Sequence, residues 1–506
     1  MNETMGIKAD MDKWKATVLF WSVAGFFAAF WVLLPTLLHT SYCGDVIEVL
    51  NIAPEWVWAT KKHPMLPAWM LEILILLTNR SFAVPFIATQ LCTILTLWSV
   101  WKLGRTVLDE RLALIGALSI LPYTFFAVKP IWFNQNNILI ALWTLSIYLV
   151  FQAFQTNKKR WWIAAGIALG LTFQAKYSAV FLVVAILTYM FTRQEGRKYI
   201  WTPGPYITTL IAFVIFLPHI IWLCNHDFIT FDYVSRAESK HVYFLSQWSR
   251  HIFSPFHFVI LQFLYLPLTT IIVLPVIGYI WKWKVQHHKQ GKVKECEKFL
   301  FYCFMIPFVL HLFYGGGKGA YLCMAYGAPF WACFGLWLLL RFQQSVIPIQ
   351  KSFRLVLVLT FTIMLLIATG FVTLSYLGLQ HSKHYLPMRE LGTTCEDIWH
   401  SRFPDVACPY MAGNNILLAG HVAHAMTVRP SLIMPQGTWA TDDNLNQKGG
   451  MIVWELDENE TNSMEALRTR FPKAEVLPEI LELPYKTGAK IPPLRLGIAV
   501  VPPARP

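Results

Sequence analysis

Apolar runs, most of them near the twenty residues that a bilayer crossing needs, alternate with short polar loops over the first three quarters of the chain. They fall at 16–38, 81–101, 112–128, 138–154, 161–174, 179–191, 206–223, 256–280, 299–314, 320–340 and 355–377. Read as helices, they predict a polytopic α-helical membrane module of about eleven transmembrane helices over residues 1–377. The first run is too long for a signal-peptide core and lacks a small-residue cleavage site, so it reads as a retained helix. Beyond residue 378 the pattern changes. Charged residues appear throughout, and short apolar runs (NILLAG near Ile416, LIM near Leu432, MIVWEL near Met451, LGIAVV near Leu496) are separated by helix-like pieces such as SMEALRTRF. That alternation predicts a small C-terminal α/β domain over 378–506, outside the membrane.

Composition agrees with the pattern. The 506 residues are 56% hydrophobic and only 14% charged, against about 25% charged in a soluble domain. The net charge of +13 does not form one basic tract, which argues against nucleic acid. Instead the cations cluster between runs: Lys8, Lys13 and Lys15; Lys102, Arg105 and Arg111; Lys158 to Arg160; Arg193, Arg197 and Lys198; the stretch 282–298; then Arg341, Lys351 and Arg354. Each cluster falls in a loop predicted to be cytoplasmic, which puts the N-terminus inside and the C-terminal domain outside. Of the nine cysteines, Cys395 and Cys408 lie thirteen apart in that exported segment, where a disulfide is allowed. Cys43 has no obvious partner, and most of the others read as packing residues.

The first outer loop, about 39–80, carries the densest chemistry. Asp45 and Glu48 stand at i and i+3 and share a face if the loop is helical; Lys61, Lys62 and His63 follow, closed by Pro64. An acid with a cationic cluster beside a membrane suits a reaction on an anionic, lipid-linked substrate. A solvated amphipathic loop would read the same way. Other cations on the outer side also ask for a reason, because positive-inside sorting disfavours them. Lys129 precedes FNQNN (133–137), Lys176 ends a span, the loop 225–250 contains Arg236, and Lys318 sits in GGGKG. Binding a phosphate is one reason; for Lys176, snorkelling to headgroups is another. The glycines around Lys318 suggest a mobile loop, either a lid or slack. His219, inside a span after Pro218, reads as a hydrogen-bonded packing histidine. No HExxH, CxxC pair, Walker loop or GxSxG occurs.

Several blocks in order resemble a known family. Asp45 followed by His63-Pro64-Met65 and AWM, then WWIAAGIALGLTFQAKYSAVFL (161–182) and PGPYITTLIAFVIFLPHIIW (203–222), with FNQNNILIALW and KGAYLCMAYGAPFW as looser matches, are similar to the bacterial dolichyl-phosphate-mannose protein mannosyltransferase-like family. That family lies in the glycosyltransferase-C superfamily and is related to lipid A aminoarabinose transferases. The chain departs from its pattern at Val46 and Asn136, where acids are usual, at Lys62, where Asp is common, and at Met65, which replaces a second proline.

The resemblance implies an integral-membrane glycosyltransferase, with a hexose or pentose carried on a polyprenyl phosphate as donor. It implies Asp45 as general base, hence inversion at the anomeric carbon. His63, Lys62, Lys176 and Arg236 would answer the donor phosphate, with Glu48, Asn136 and Lys318 as acceptor or lid residues. The implied acceptor is lipopolysaccharide or lipid A, another glycan, or protein, and the implied setting is the bacterial inner membrane with the site facing the periplasm. No cofactor is identified; a divalent metal stays open beside Glu48, with no ligand set evident. The competing reading is a transporter or flippase of a lipid-linked glycan, which internal repeats would favour; none is found.

Overall fold

The computed structural model describes residues 2–127, 131–233, 246, 248–264, 291–342, 349–376, 385–456, 467, 469–486 and 492–503. The chain divides into two compact units. One comprises residues 1–32, 89–131 and 135–368; the other gathers 33–88, 132–134 and 369–506.

The first unit is helical. Five helices among the described residues are long and apolar enough to cross a membrane: Trp14–Leu38, Val84–Gly104, Gln135–Thr156, Pro203–Cys224 and Gly291–Lys318. Of the other expected spans, 355–377 falls in the continuous helix Ile349–Tyr376, 161–174 and 179–191 form the shorter helices Lys159–Ala175 and Ala179–Thr192, and two are broken. The run 112–128 becomes the helix Glu110–Leu118, a set of turns through Pro122, and the single turn Thr124–Ala127. The run 320–340 divides into Met324–Gly327, Ala328–Trp331 and Phe334–Phe342. Apolar composition alone does not distinguish a lipid-facing helix from irregular backbone buried in protein, which is tolerated at membrane depth. Part of the run 256–280 lies outside the described residues.

Close helix packing in this unit rests on small residues. A Cβ on Gly166 would stand 2.8 Å from the Thr208 carbonyl oxygen, and one on Gly170 would stand 2.8 Å from the Ile215 Cβ. Spaced four apart on Lys159–Ala175, these glycines let the helix Pro203–Cys224 approach as a small-xxx-small seam. Two interhelical hydrogen bonds flank the seam: Thr208 Oγ1 donates to the Trp162 carbonyl at 2.7 Å, and Gln174 Nε2 to the Ile215 carbonyl at 3.0 Å.

The second unit contains a six-stranded mixed sheet: β1 Tyr410–Gly413, β2 Ser431–Leu432, β3 Gly450–Glu455, β4 Glu475–Val476, β5 Leu481–Leu483 and β6 Leu494–Val501. Strand order is β2-β1-β3-β6-β4, with β5 also on β6; β2, β1 and β3 run parallel and β6 antiparallel to β3. Every β3 residue but the last is buried, as a central strand covered on both faces requires. Three of the four apolar runs supply strands. NILLAG instead opens the helix Ile416–Ala425, because the Asn415 side chain accepts from the Leu417 and Leu418 N–H groups as its N-cap.

That helix receives the first outer loop. Asn51 Nδ2 donates to the Gly420 carbonyl at 3.0 Å, and His421 Nε2 meets the Tyr42 backbone N at 3.2 Å. Arg429 makes a two-pronged pair with Glu72 (2.9 and 3.0 Å) and also donates to the Leu50 carbonyl at 3.1 Å. Its side chain is 12% exposed and that of Glu72 only 6%, so the pair is shielded from water and both charges depend on it. Cys395 and Cys408 are buried and both thiols are free. Cys408 Sγ donates to the Tyr410 carbonyl.

Candidate functional site

Asp45 occupies the first turn of the helix Gly44–Ile52. The apolar positions Val46, Ile47, Val49 and Leu50 are buried, so the helix is fixed through one face while Asp45 stays exposed on the other. Unsatisfied backbone N–H groups at the helix start favour a negative side chain there. Asn134 Nδ2 donates to Asp45 Oδ2 at 2.9 Å, and Asn134 is itself buried. The other oxygen, Oδ1, accepts no side-chain hydrogen bond among the described residues. One carboxylate oxygen is thus anchored and its twin is left for chemistry.

Glu48, one turn on, faces a different task. Lys62 Nζ lies 3.1 Å from both of its oxygens. Burial pushes the Glu48 carboxyl above the usual carboxylate range; Lys62 pulls it back, and the charge on Asp45 adds to the rise. The ammonium of Lys62, expected at a donor phosphate, is therefore engaged with Glu48. The turn carrying Lys61, Lys62 and His63 is closed by a bridge between Ala59 and Pro64. The Thr60 N–H donates to the His63 carbonyl at 3.1 Å, and the His63 N–H to Thr60 Oγ1 at 3.2 Å. His63 is half-buried.

The other unit holds a second polar cluster. Lys176 ends the helix Lys159–Ala175 with extended backbone, which turns its side chain out of the helical register. Its ammonium donates to Asn136 Oδ1 at 2.9 Å and lies 4.6 Å from the centre of the Tyr326 ring. The next residue, Tyr177, bonds through its hydroxyl to His219 Nε2 at 2.7 Å. His219 is fully buried, the hydrogen-bonded packing histidine that its position suggests. Lys318 is the exposed last residue of Gly291–Lys318. The glycines before it continue the helix instead of forming the expected mobile loop, and the left-handed turn comes only at Gly319, with φ +61°. Lys129 and Arg236 lie outside the described residues. Among the described residues no three His, Cys, Asp or Glu side chains gather as a metal site.

Two of these residues do not stand out in the sequence. The FNQNN stretch draws attention to Asn136, whereas its Asn134 is the residue that reaches Asp45. Tyr326 sits within the AYG of a loosely matching block, and nothing in its spacing pairs it with Lys176.

Comparison with known proteins bears on this geometry. Residues 62–222 match the dolichyl-phosphate-mannose-protein mannosyltransferase family. The family resemblance holds over that stretch. No curated protein matches the chain by sequence. Among solved structures, ArnT from Cupriavidus metallidurans bound to undecaprenyl phosphate superposes with a TM-score of 0.59 at 12% identity, covering 97% of this chain and 99% of that one. Its apo form gives a TM-score of 0.60 at 13% identity with the same coverage. The chain is thus a multi-pass membrane protein with the glycosyltransferase-C fold of ArnT.

Proposed function

We propose that the chain is an integral-membrane glycosyltransferase that moves a sugar from a polyprenyl-phosphate carrier to an acceptor at the membrane surface, with Asp45 as general base. The observation that carries the reading is the half-engaged carboxylate of Asp45: Oδ2 held by Asn134 at 2.9 Å, Oδ1 open. The family match over residues 62–222 and the fold shared with a protein solved with undecaprenyl phosphate support a lipid-linked donor.

In the proposed reaction Asp45 Oδ1 takes the proton of an acceptor hydroxyl. The freed oxygen lone pair forms the new bond to the anomeric carbon while the carbon–oxygen bond to the phosphate breaks, its electron pair leaving on the phosphate. A single displacement inverts that carbon, in contrast to the two-carboxylate retaining route. Lys176, already polarised by Asn136 and Tyr326, and His63 are proposed as the groups that answer charge growing on the phosphate. The anchoring of Lys62 by Glu48 gives these two a supporting role in holding the loop. The proposed acceptors are lipopolysaccharide or lipid A, another glycan, or protein, and the proposed setting is the bacterial inner membrane with Asp45 on the periplasmic side.

The test compares membranes with the wild-type chain, Asp45→Ala and no enzyme, each given a polyprenyl-phosphate-sugar pool and read by mass spectrometry of the whole lipid extract. Wild type is expected to release free polyprenyl phosphate with a matching mass gain on an acceptor. A folded Asp45→Ala chain that does both as fast as wild type would remove Asp45 from the mechanism.

A further inference from the structure

The second unit contains a half-open pocket of about 450 Å³ that Asp45, Glu48 and Lys62 do not line. This is within the range of small-molecule sites. Its wall includes Thr36, Thr40, Arg80, Arg389, His424 and Lys486, with Glu390 as its one acid. Thr36 lies in the last turn of the apolar helix Trp14–Leu38, and Arg80 lies four residues before the next, Val84–Gly104. Both ends of the loop that carries Asp45 thus contribute where the chain leaves the membrane.

Three cations against one carboxylate give this lining an excess of two positive charges. Much of that charge is available. Arg80 Nη1 donates to the Thr427 carbonyl, and Nη2 to the carbonyls of His424 and Met426, capping the end of the helix Ile416–Ala425. A guanidinium has five N–H donors, so Nε and one Nη1 hydrogen remain. The backbone at Asn79 and Arg80 is left-handed, with φ 50° and 61°; such backbone persists in non-glycine residues only where the surroundings hold it. Lys486 pairs with Glu390 at 2.8 Å and keeps two of its three hydrogens. Arg389 makes no side-chain hydrogen bond or ion pair among the described residues. His424 is buried with Nδ1 unpartnered.

We propose that this cavity binds a phosphate group at the membrane surface, as a site separate from Asp45. Spare Arg and Lys donors converging on one cavity form the charge-assisted bonds that phosphate oxygens accept. A position at the exit of two apolar helices admits either a lipid headgroup or a free phosphate from the aqueous side. The proposal does not depend on the reaction assigned to Asp45.

The test uses the full chain in detergent, titrated calorimetrically with inorganic phosphate, with dihexanoyl phosphatidic acid, and with dihexanoylglycerol, which lacks the phosphate. Arg389→Gln and Lys486→Gln are made singly and together. Both side chains are exposed, so the fold is expected to survive, and an unchanged melting curve verifies it. The double variant is expected to bind at least one phosphate ligand about ten-fold more weakly, and Arg389→Gln alone, which has no partner to lose, about three-fold. Binding of both phosphate compounds supports a site for the group itself. Binding of phosphatidic acid alone supports a lipid headgroup site, and binding of inorganic phosphate alone a site for the free ion. The proposal is overturned if neither binds more tightly than dihexanoylglycerol, or if the double variant binds them as wild type does.

Discussion

Replacing Asn134 by Leu removes the donor from Asp45 while keeping the same branched heavy-atom skeleton, though a bulkier one, in a buried position. A hydrogen bond to a charged group is worth about 1.5–3 kcal/mol. Asp45 is exposed, so water replaces part of the lost bond and the lower end applies. At about 1.4 kcal/mol per decade, turnover is expected to fall about ten-fold. The carboxylate is then free to rotate, and Oδ1 is no longer singled out as the proton acceptor. Since Asn134 acts through Asp45, the loss is expected in kcat with KM for the donor nearly constant. Asn134→Asp, which sets a like charge beside Asp45, is expected to lose more. The assay follows release of free polyprenyl phosphate against donor concentration, with melting curves to show that each variant is folded. Unchanged kcat in a folded Asn134→Leu chain, or a defect confined to KM, would refute the positioning argument.

Three further outcomes test the fold around the site. Glu72→Gln strands the Arg429 charge in a position 12% exposed and is expected to destabilise the second unit by about 3 kcal/mol, read as earlier proteolysis of residues 385–456; the double variant with Arg429→Met should recover part of the loss, and no loss in the single variant would show that the pair is not needed. His424 is held well below its ordinary value of 6.5 by burial first, then by Arg429, Arg80 and His421. A depressed folded value means that the stability it supports is complete above about 6.5 and is lost as pH falls towards the folded value, so the melting temperature should drop below that pH in wild type and drop less in His424→Gln; parallel curves would refute this. Gly170→Val forces a side chain into the 2.8 Å approach of Ile215 and is expected to cost about 1–3 kcal/mol, measured as lower thermal stability of the full chain in detergent, with wild-type stability refuting the tight seam.

The membrane character is legible because apolar runs of about twenty residues seldom occur outside bilayer spans, and Asp45 stands out as an acid placed just after the first of them. The glycosyltransferase-C likeness rests on ordered blocks around Asp45, His63 and Lys176. What the linear pattern hides is non-local. Asn134 lies 89 residues from its partner, and Asn51 lies 369 from the Gly420 carbonyl that it meets. No periodicity reports such pairings. The breaks within 112–128 and 320–340 are hidden for another reason: hydropathy counts apolar atoms and is blind to backbone that turns where protein, not lipid, surrounds it. Nor does the linear pattern pair Lys62 with Glu48, 14 residues earlier.

The helix that carries Asp45 belongs to one compact unit with residues 369–506. At roughly 5–20 residues per second, a ribosome delivers Asp45 many seconds before it delivers Gly420, His421 and Arg429. During that interval Ile47 lacks the cover of Gly420, and the Glu72 carboxylate lacks the Arg429 guanidinium. A nascent or prematurely terminated chain therefore carries the acid without the scaffold that aims it. The unit that holds Asp45 is therefore complete only once residues 410–432 have joined it.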